Sequence, residues 1–149
     1  MELKPPAALR LEHQELHTAL QQAARLGDKT GDAVRRLLRL TAVHFAKEEE
    51  LALTPLGALP ELAAGRLSLD MPRMIVRAEK LNAQMPDMLA EHRAIVAGLE
   101  ELLQVAGGEG HVELVDVAQR LMLHLQVEEQ VYYPMAIVLG EYLKLKFGR

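Results

Sequence analysis

A two-part motif occurs twice in this chain and constrains its fold more than any other feature. Each copy begins with a Glu-His pair and ends with a His-x-x-x-Glu-Glu segment. The histidines of the two parts are 31 residues apart between His13 and His44, and 32 residues apart between His92 and His124. A shift of 79 or 80 residues also brings apolar positions of the two copies into register. Such a repeat predicts two helical hairpins related by a pseudo-two-fold axis.

The segments between the motifs favour helix. Leu, Ala, Glu, Arg, Gln and Met dominate them, aromatic residues make up only 3% of the chain, and runs of β-branched residues are missing. Asp32 is predicted to cap the second helix, Pro55 to end it, and Pro86 to kink or divide the third. Each of the four predicted long helices carries one motif histidine near its middle. We therefore predict an all-α fold, an antiparallel up-down four-helix bundle with a pseudo-two-fold internal repeat.

The length and apolar content indicate one compact domain. The chain has 149 residues, half of them apolar, which is enough to bury a core without disulfides. We predict a single domain over residues 1–149, with a metal-binding core at about 9–134 and a C-terminal helical extension at 135–149. A Gly- and Pro-punctuated stretch from Pro55 to Asp70 connects the two copies, with a helical turn around Glu61 to Ala64.

Charge and composition exclude several classes of function. The chain has a net charge of −4, a pI near 5.9 and few aromatic residues, which is not typical of a nucleic-acid-binding protein. The absence of cysteine excludes thiol catalysis and thiolate ligands, and agrees with a reducing compartment. No apolar run approaches the ~18 residues of a membrane-spanning helix, and the N-terminus does not resemble a signal peptide. We expect a cytoplasmic protein that binds neither nucleic acid nor membrane; the sequence does not identify a protein partner.

The polar residues of the motifs lie on the apolar faces of their helices. His44 with Glu48, and His124 with Glu128, are i, i+4 pairs, so each pair stacks on one face. Two carboxylates facing each other across a core would repel or take up protons unless a cation neutralises them. The pattern predicts a dinuclear metal site whose ligands are His13, His44, Glu48, His92, His124 and Glu128. His17, one turn after His13, is a candidate additional ligand or a second-sphere side chain.

This ligand set leaves coordination positions unfilled. Two histidines and two bridging oxygens per ion supply about four of the six ligands that iron or manganese prefers. The remaining positions have room for an oxo, hydroxo or water bridge and for dioxygen, nitric oxide or peroxide as a small ligand. We expect two iron ions as the cofactor, because paired bridging carboxylates are typical of di-iron bundles; zinc and manganese fit less well.

The motifs Glu-His-x-x-Leu, His-Phe-x-x-Glu-Glu and His-x-x-x-Glu-Glu-x-x-x-Tyr-Pro resemble those of the hemerythrin-like HHE cation-binding family over roughly residues 9–134. The resemblance implies a four-helix bundle with a non-haem di-iron centre, held by the same six residues. It also implies a part in oxygen binding, iron or oxygen sensing, or the response to nitric oxide. Oxygen-carrying hemerythrins have a second histidine one turn after the third-helix ligand. This chain has Val96 there and places His17 one turn after His13 instead.

Three functions remain open on the sequence alone. The first is a di-iron protein that binds or senses a small diatomic, or handles iron in a redox-active form. The second is a di-iron enzyme that acts on peroxide or dioxygen, or in repair of nitrosative damage. The third is a helical interaction module with structural zinc or no metal.

His111, beside a Gly-rich turn, is expected to be a solvated loop residue. Surface, second-sphere or packing positions are expected for Glu12, Glu49, Glu91, Glu129, Tyr132 and Tyr133.

Overall fold

The computed structural model describes residues 2–148, which form helices and turns and contain no strand. Two π-helical turns, Glu49–Leu53 and Glu128–Tyr132, each connect a long helix to the helix that follows it. The prediction of an all-α fold is confirmed for these residues. The helices are α1 (Ala7–Ala23), α2 (Lys29–Glu48), α3 (Thr54–Leu56), α4 (Leu59–Ala63), α5 (Met71–Ala83), α6 (Met85–Gly108), α7 (Val112–Val127) and α8 (Tyr133–Phe147).

The turn between α1 and α2 is tighter than predicted. Asp28, and not Asp32, caps α2, because its carboxylate accepts a hydrogen bond from the backbone N–H of Gly31 at 3.1 Å. A Cβ atom on Gly31 would overlap the carbonyl of Leu26, so only glycine permits this close approach. The helix therefore starts one turn earlier than expected, and Asp32 falls in its first turn.

The prolines divide the helices largely as predicted. Pro86 lies in the first turn of α6, where a backbone N–H has no partner within the helix, and α5 ends just before it at Ala83. The predicted turn after Pro55 is α4. Pro55 itself does not end the helical segment. The π turn Glu49–Leu53 follows α2 directly, and Pro55 lies in the first turn of α3, which continues to Leu56 before Gly57.

The packing of the helices leaves a polar layer between two apolar regions. Helix α2 packs on α6, α6 on α7, and α1 on both α2 and α7, while α5 packs on α8. The first group surrounds the larger apolar cluster, and a second cluster joins the π turns, α5 and α8. In α6, Met88 belongs to the second cluster and Ile95 to the larger one, with His92 between them. Within residues 2–148, no helix combines the length and apolar character needed to cross a bilayer.

Candidate metal centre

The six predicted ligands are all buried. Glu48 and Glu128 have no exposed surface, and the four histidines are exposed by 6% or less. Ionisable groups in an apolar interior are strongly destabilising unless they are paired or neutralised. The four histidines come from four different helices, as predicted: His13 from α1, His44 from α2, His92 from α6 and His124 from α7.

Glu128 lies between two pairs of histidines. Its Oε2 atom is 2.9 Å from Nε2 of His13 and 2.9 Å from Nε2 of His124. Its Oε1 atom is 3.2 Å from Nε2 of His92, which forms a second group with His44. Within each group the potential ligand atoms lie within 4.8 Å of one another. The two oxygens of one carboxylate thus face different histidine pairs, which is the arrangement expected of a residue that bridges two metal ions.

Glu48 also reaches both groups but makes no hydrogen bond. Its Oε2 atom lies 3.5 Å from Nε2 of His13 and 3.9 Å from Nε2 of His44. Neither of its oxygens has a hydrogen-bond partner, although both are buried. A buried carboxylate without donors needs a cation or a proton. These orphaned oxygens, together with four imidazole nitrogens, fit a pair of metal ions.

The two glutamates differ in electrostatics although both are buried. Burial raises the pKa of Glu48 well above its ordinary value, and the neighbouring Glu128 raises it further. Burial acts in the same direction on Glu128, but the interactions with the neighbouring Glu48 and with the surrounding histidines outweigh it and hold the pKa of Glu128 well below its ordinary value. Without metal, a proton held by the pair would therefore reside preferentially on Glu48. Metal binding would displace that proton.

Carboxylates outside the cluster orient three of the four histidines. In each case Nδ1 points away from the cluster toward a glutamate, so an Nδ1–H donor there leaves Nε2 free to bind a metal. The nitrogen–oxygen pairs are His124 with Glu12 at 2.5 Å, His44 with Glu91 at 2.7 Å and His92 with Glu129 at 3.2 Å. Lys47 holds the other oxygen of Glu91 at 2.5 Å. The second-sphere interpretation of these three glutamates agrees with the structure.

His13 is oriented by packing instead. Glu49, which follows Glu48 as Glu129 follows Glu128, lies 3.6 Å from Arg10 and makes no hydrogen bond to His13. The ring of His13 stacks on Phe45, with the centroids 4.7 Å apart and the planes 24° apart. The first copy of the motif therefore lacks one of the polar contacts found in the second.

Tyr133, which was expected at a surface, second-sphere or packing position, packs in the core and also reaches the site. It is fully buried, and its hydroxyl lies 3.0 Å from Nε2 of His92 and 3.4 Å from Nε2 of His44. In a continuous α-helix, Tyr132 would stack over Glu128 at i+4. The π turn closes instead with a bond from the Tyr133 N–H to the Glu128 carbonyl, at i+5, and brings Tyr133 into the site. Tyr132 remains half-buried at the rim, where its ring centroid is 6.3 Å from that of His124.

The two remaining histidines lie outside both groups. His17 is half-buried, and its Nδ1 atom is buried without a hydrogen-bond partner. Its ligation stays a prediction. His111 lies in the loop before α7, as expected, but it is half-buried and its Nε2 atom lies 2.7 Å from Oδ2 of Asp28. Glu109 completes a third, partly exposed group with these two residues, next to the start of α2.

Two small surface pockets reach the buried histidines. One, of about 230 Å³, borders His124 and is also lined by Arg120. The other, of about 280 Å³, borders His92 and is also lined by Val96, the position where oxygen-carrying hemerythrins have a histidine. Each pocket opens beside a histidine of a different group. Both are smaller than most pockets for drug-sized ligands, so they suit a small molecule.

Comparison with known proteins agrees with this geometry. A family model described as the hemerythrin HHE cation binding domain matches residues 4–136, a span that includes all six predicted ligands and Tyr133. No curated protein and no solved structure matches the chain. Because the match covers nearly the whole sequence, this chain belongs to the hemerythrin HHE cation-binding domain family.

Proposed function

We propose that this protein is a non-haem di-iron protein that binds or senses a small diatomic, or holds iron in a redox-active form. The observation that carries the proposal is the position of Glu128 between two histidine pairs, beside Glu48, whose buried oxygens lack hydrogen-bond partners. Two imidazole pairs that share two carboxylates suit two metal ions better than one. The first ion would be held by His13 and His124, the second by His44 and His92, and both by Glu48 and Glu128.

Iron is the proposed metal because the ligand set is incomplete for an octahedral ion. Two histidines and two shared carboxylates supply about four of six ligands, whereas structural zinc is usually closed at four. When bound, a di-iron centre supplies reversible electron transfer and open positions for dioxygen or nitric oxide. The chain's part is to position the imidazoles through second-sphere carboxylates and to limit access to the small pockets beside His92 and His124.

We also infer that the four histidine-bearing helices alternate in direction and form two matching hairpins. In α1 and α6 the second apolar cluster precedes the histidine and the larger cluster follows it, whereas in α2 and α7 the larger cluster precedes it. The second-sphere contacts repeat in the same way. Glu12 of the first copy reaches His124 of the second, and Glu91 of the second reaches His44 of the first. Both observations support a pseudo-two-fold arrangement.

A di-iron enzyme that acts on peroxide or dioxygen, or in repair of nitrosative damage, is the second candidate. Tyr133 favours it, because a buried phenol 3.0 Å from Nε2 of His92 places a proton and an oxidisable ring beside the centre. Turnover of peroxide or of a nitric-oxide donor by the iron-loaded protein would support the enzyme. Saturable binding of nitric oxide without turnover would support the binding or sensing function.

Metal analysis of the natively purified protein tests the proposal. We expect close to two iron ions per chain and absorption in the near ultraviolet and visible, where zinc is silent. Glu48→Ala or Glu128→Ala should remove both ions, and His92→Ala should remove one preferentially. His111→Ala is the matched control, because it alters a histidine paired with a carboxylate elsewhere, and it should retain both ions. One ion or none after iron supplementation would contradict the dinuclear centre, and a colourless zinc protein would contradict iron.

A further inference from the structure

Helix α8 and the π turn before it carry a row of exposed apolar side chains away from the metal centre. We define the α8 stripe as Val131, Met135, Val138, Tyr142 and Leu145, which are exposed by 39–82%. Their spacing of four, three, four and three residues is the a/d pattern of a coiled coil, in which each such residue faces a partner helix. The exposed face of a surface helix is ordinarily polar. The pattern therefore indicates a helix that contacts another one.

The α8 stripe borders an apolar groove, and its own chain does not cover it. The groove has a volume of about 560 Å³, and its other wall is formed by Leu59, Leu62 and Ala63 in and next to α4. The opposite face of α8, which includes Gly140 and Leu143, is buried and packs on α5. The largest contiguous apolar patch on a monomer is often an interaction site.

We propose that the α8 stripe binds the α8 stripe of a second copy of this chain, as a parallel two-stranded pair. The charges beside the stripe favour this occupant and this direction. With Tyr142 at position a and Leu145 at position d, Glu141 takes position g and Lys146 takes position e of the next heptad. In a parallel pair, position g faces the partner's position e five residues further on. Each Glu141 would therefore meet Lys146 of the other copy.

An antiparallel pair lacks this complementarity. There position g faces position g and position e faces position e, so in no register would Glu141 meet Lys146 of the other copy. Both charged groups already lie at the border of the stripe. Lys146 Nζ lies 5.6 Å from the ring centroid of Tyr142, and Glu141 accepts a hydrogen bond from Lys144 at 3.0 Å. To form the pair, Glu141 would exchange its contact with Lys144 for one with Lys146 of the other copy.

The dimer should be weak. The stripe comprises five residues on each chain, far fewer than the roughly 20–30 residues per side of a standard interface. We therefore expect a reversible equilibrium between monomer and dimer that depends on protein concentration. Sedimentation velocity of the full chain, as purified with its metal, measures this equilibrium directly. A monomer at every concentration up to about 1 mM, the limit of a usefully weak association, would overturn the proposal.

Substitution in the stripe tests which surface forms the dimer. Val138→Glu should weaken association by about tenfold or more, because it places a charge at the centre of the seam. Leu145→Glu should do the same nearer the end of α8. Val43→Glu is the matched control, since Val43 is 72% exposed on α2 while Val138 is 65% exposed. Thermal melts confirm that each variant is folded. An equal loss in the control, or no loss in either stripe variant, would overturn the assignment.

Charge exchange and cross-linking test whether the two α8 helices of the dimer run parallel. Glu141→Lys should weaken the dimer several-fold, and Glu141→Lys with Lys146→Glu should restore it. The chain has no cysteine, so Met135→Cys or Tyr142→Cys introduces a single thiol. In a parallel pair both variants bring two thiols face to face, and oxidised glutathione should convert them to an interchain disulfide. A dimer that persists without cross-linking in either variant would overturn the parallel arrangement.

Discussion

Replacing each central glutamate by glutamine in the metal-free protein should change stability in opposite directions. Glu48 and Glu128 are equally buried and take equivalent positions in the two copies of the motif. Only their surroundings differ. Glu48 has no hydrogen-bond partner, whereas one oxygen of Glu128 lies 2.9 Å from both His13 and His124. The effects of the two substitutions therefore report these surroundings and not burial itself.

Glu48→Gln should stabilise the metal-free protein at neutral pH. The raised pKa of Glu48 means that folding takes up a proton at any pH between its ordinary value of 4.5 and its value in the folded protein. That uptake costs about 1.4 kcal/mol per pH unit, or at most roughly 3.5 kcal/mol over the 2.5 units between pH 4.5 and pH 7. A glutamine needs no proton. Burying its amide N–H groups offsets part of the gain, so we expect a net increase of about 1–2 kcal/mol.

Glu128→Gln should destabilise the same protein. It removes the negative charge that, with Glu12, outweighs burial and raises the pKa of His124. Breaking one buried charge pair costs about 3 kcal/mol. In a domain of this size that corresponds to a melting temperature lower by roughly 10 °C.

The pH dependence gives a second check on the same pair. The lowered pKa of Glu128 contributes stability that is present above its ordinary value of 4.5 and lost as pH falls through the value in the folded protein. The effect of Glu48→Gln should likewise fade as pH falls toward 4.5, below which this residue is protonated in both states. Thermal and urea unfolding of chelator-treated protein between pH 4 and 8 measure both trends. If the two variants shift stability in the same direction at pH 7, the reasoning is refuted.

Three further substitutions test other parts of the structure. Tyr133→Phe should lower the affinity for iron about tenfold and alter the visible spectrum, because it removes the hydroxyl beside two of the proposed ligand histidines; Tyr132→Phe, at the rim, should change neither. His111→Gln should lower the melting temperature near pH 5 but have little effect near pH 9, as a pH series of melts would show. The pKa of His111 is raised from 6.5 by its aspartate partner, so its contribution is present below 6.5 and lost as pH rises through the folded value. Gly140→Ala should cost about 2 kcal/mol in urea unfolding because its Cβ would overlap α5, whereas Gly98→Ala, which meets a leucine methyl at 3.1 Å, should cost less.

The sequence predicted the clustering of the six polar residues because helical periodicity determines which residues share a face. His44 and Glu48 lie on the apolar stripe of α2, and a side chain on such a stripe can only point inward. Proline chemistry similarly predicted the break before α6. Both results depend on interactions between residues that are close in sequence, and the order of residues in the chain is enough to predict such interactions.

The π turns have no comparable pattern in the sequence. A π turn inserts one residue without changing the composition of a helix, and it decided that Tyr133, and not Tyr132, enters the site. The contact between His111 and Asp28 joins two turns that are 83 residues apart, so no local rule could assign it. Packing of α8 on α5 is likewise tertiary, because α8 has neighbours distant in sequence.

The crossed contacts of the second-sphere glutamates make the two copies of the motif dependent on each other. Glu12 orients His124, and Glu91 orients His44, so each copy supplies the carboxylate that the other needs. An isolated hairpin would contain two histidines and a central glutamate, but the partner for one of its imidazoles would be missing. Two such fragments could supply each other's missing group only by associating. Sequence duplication within a single chain makes that association intramolecular, so completion of the site no longer depends on protein concentration.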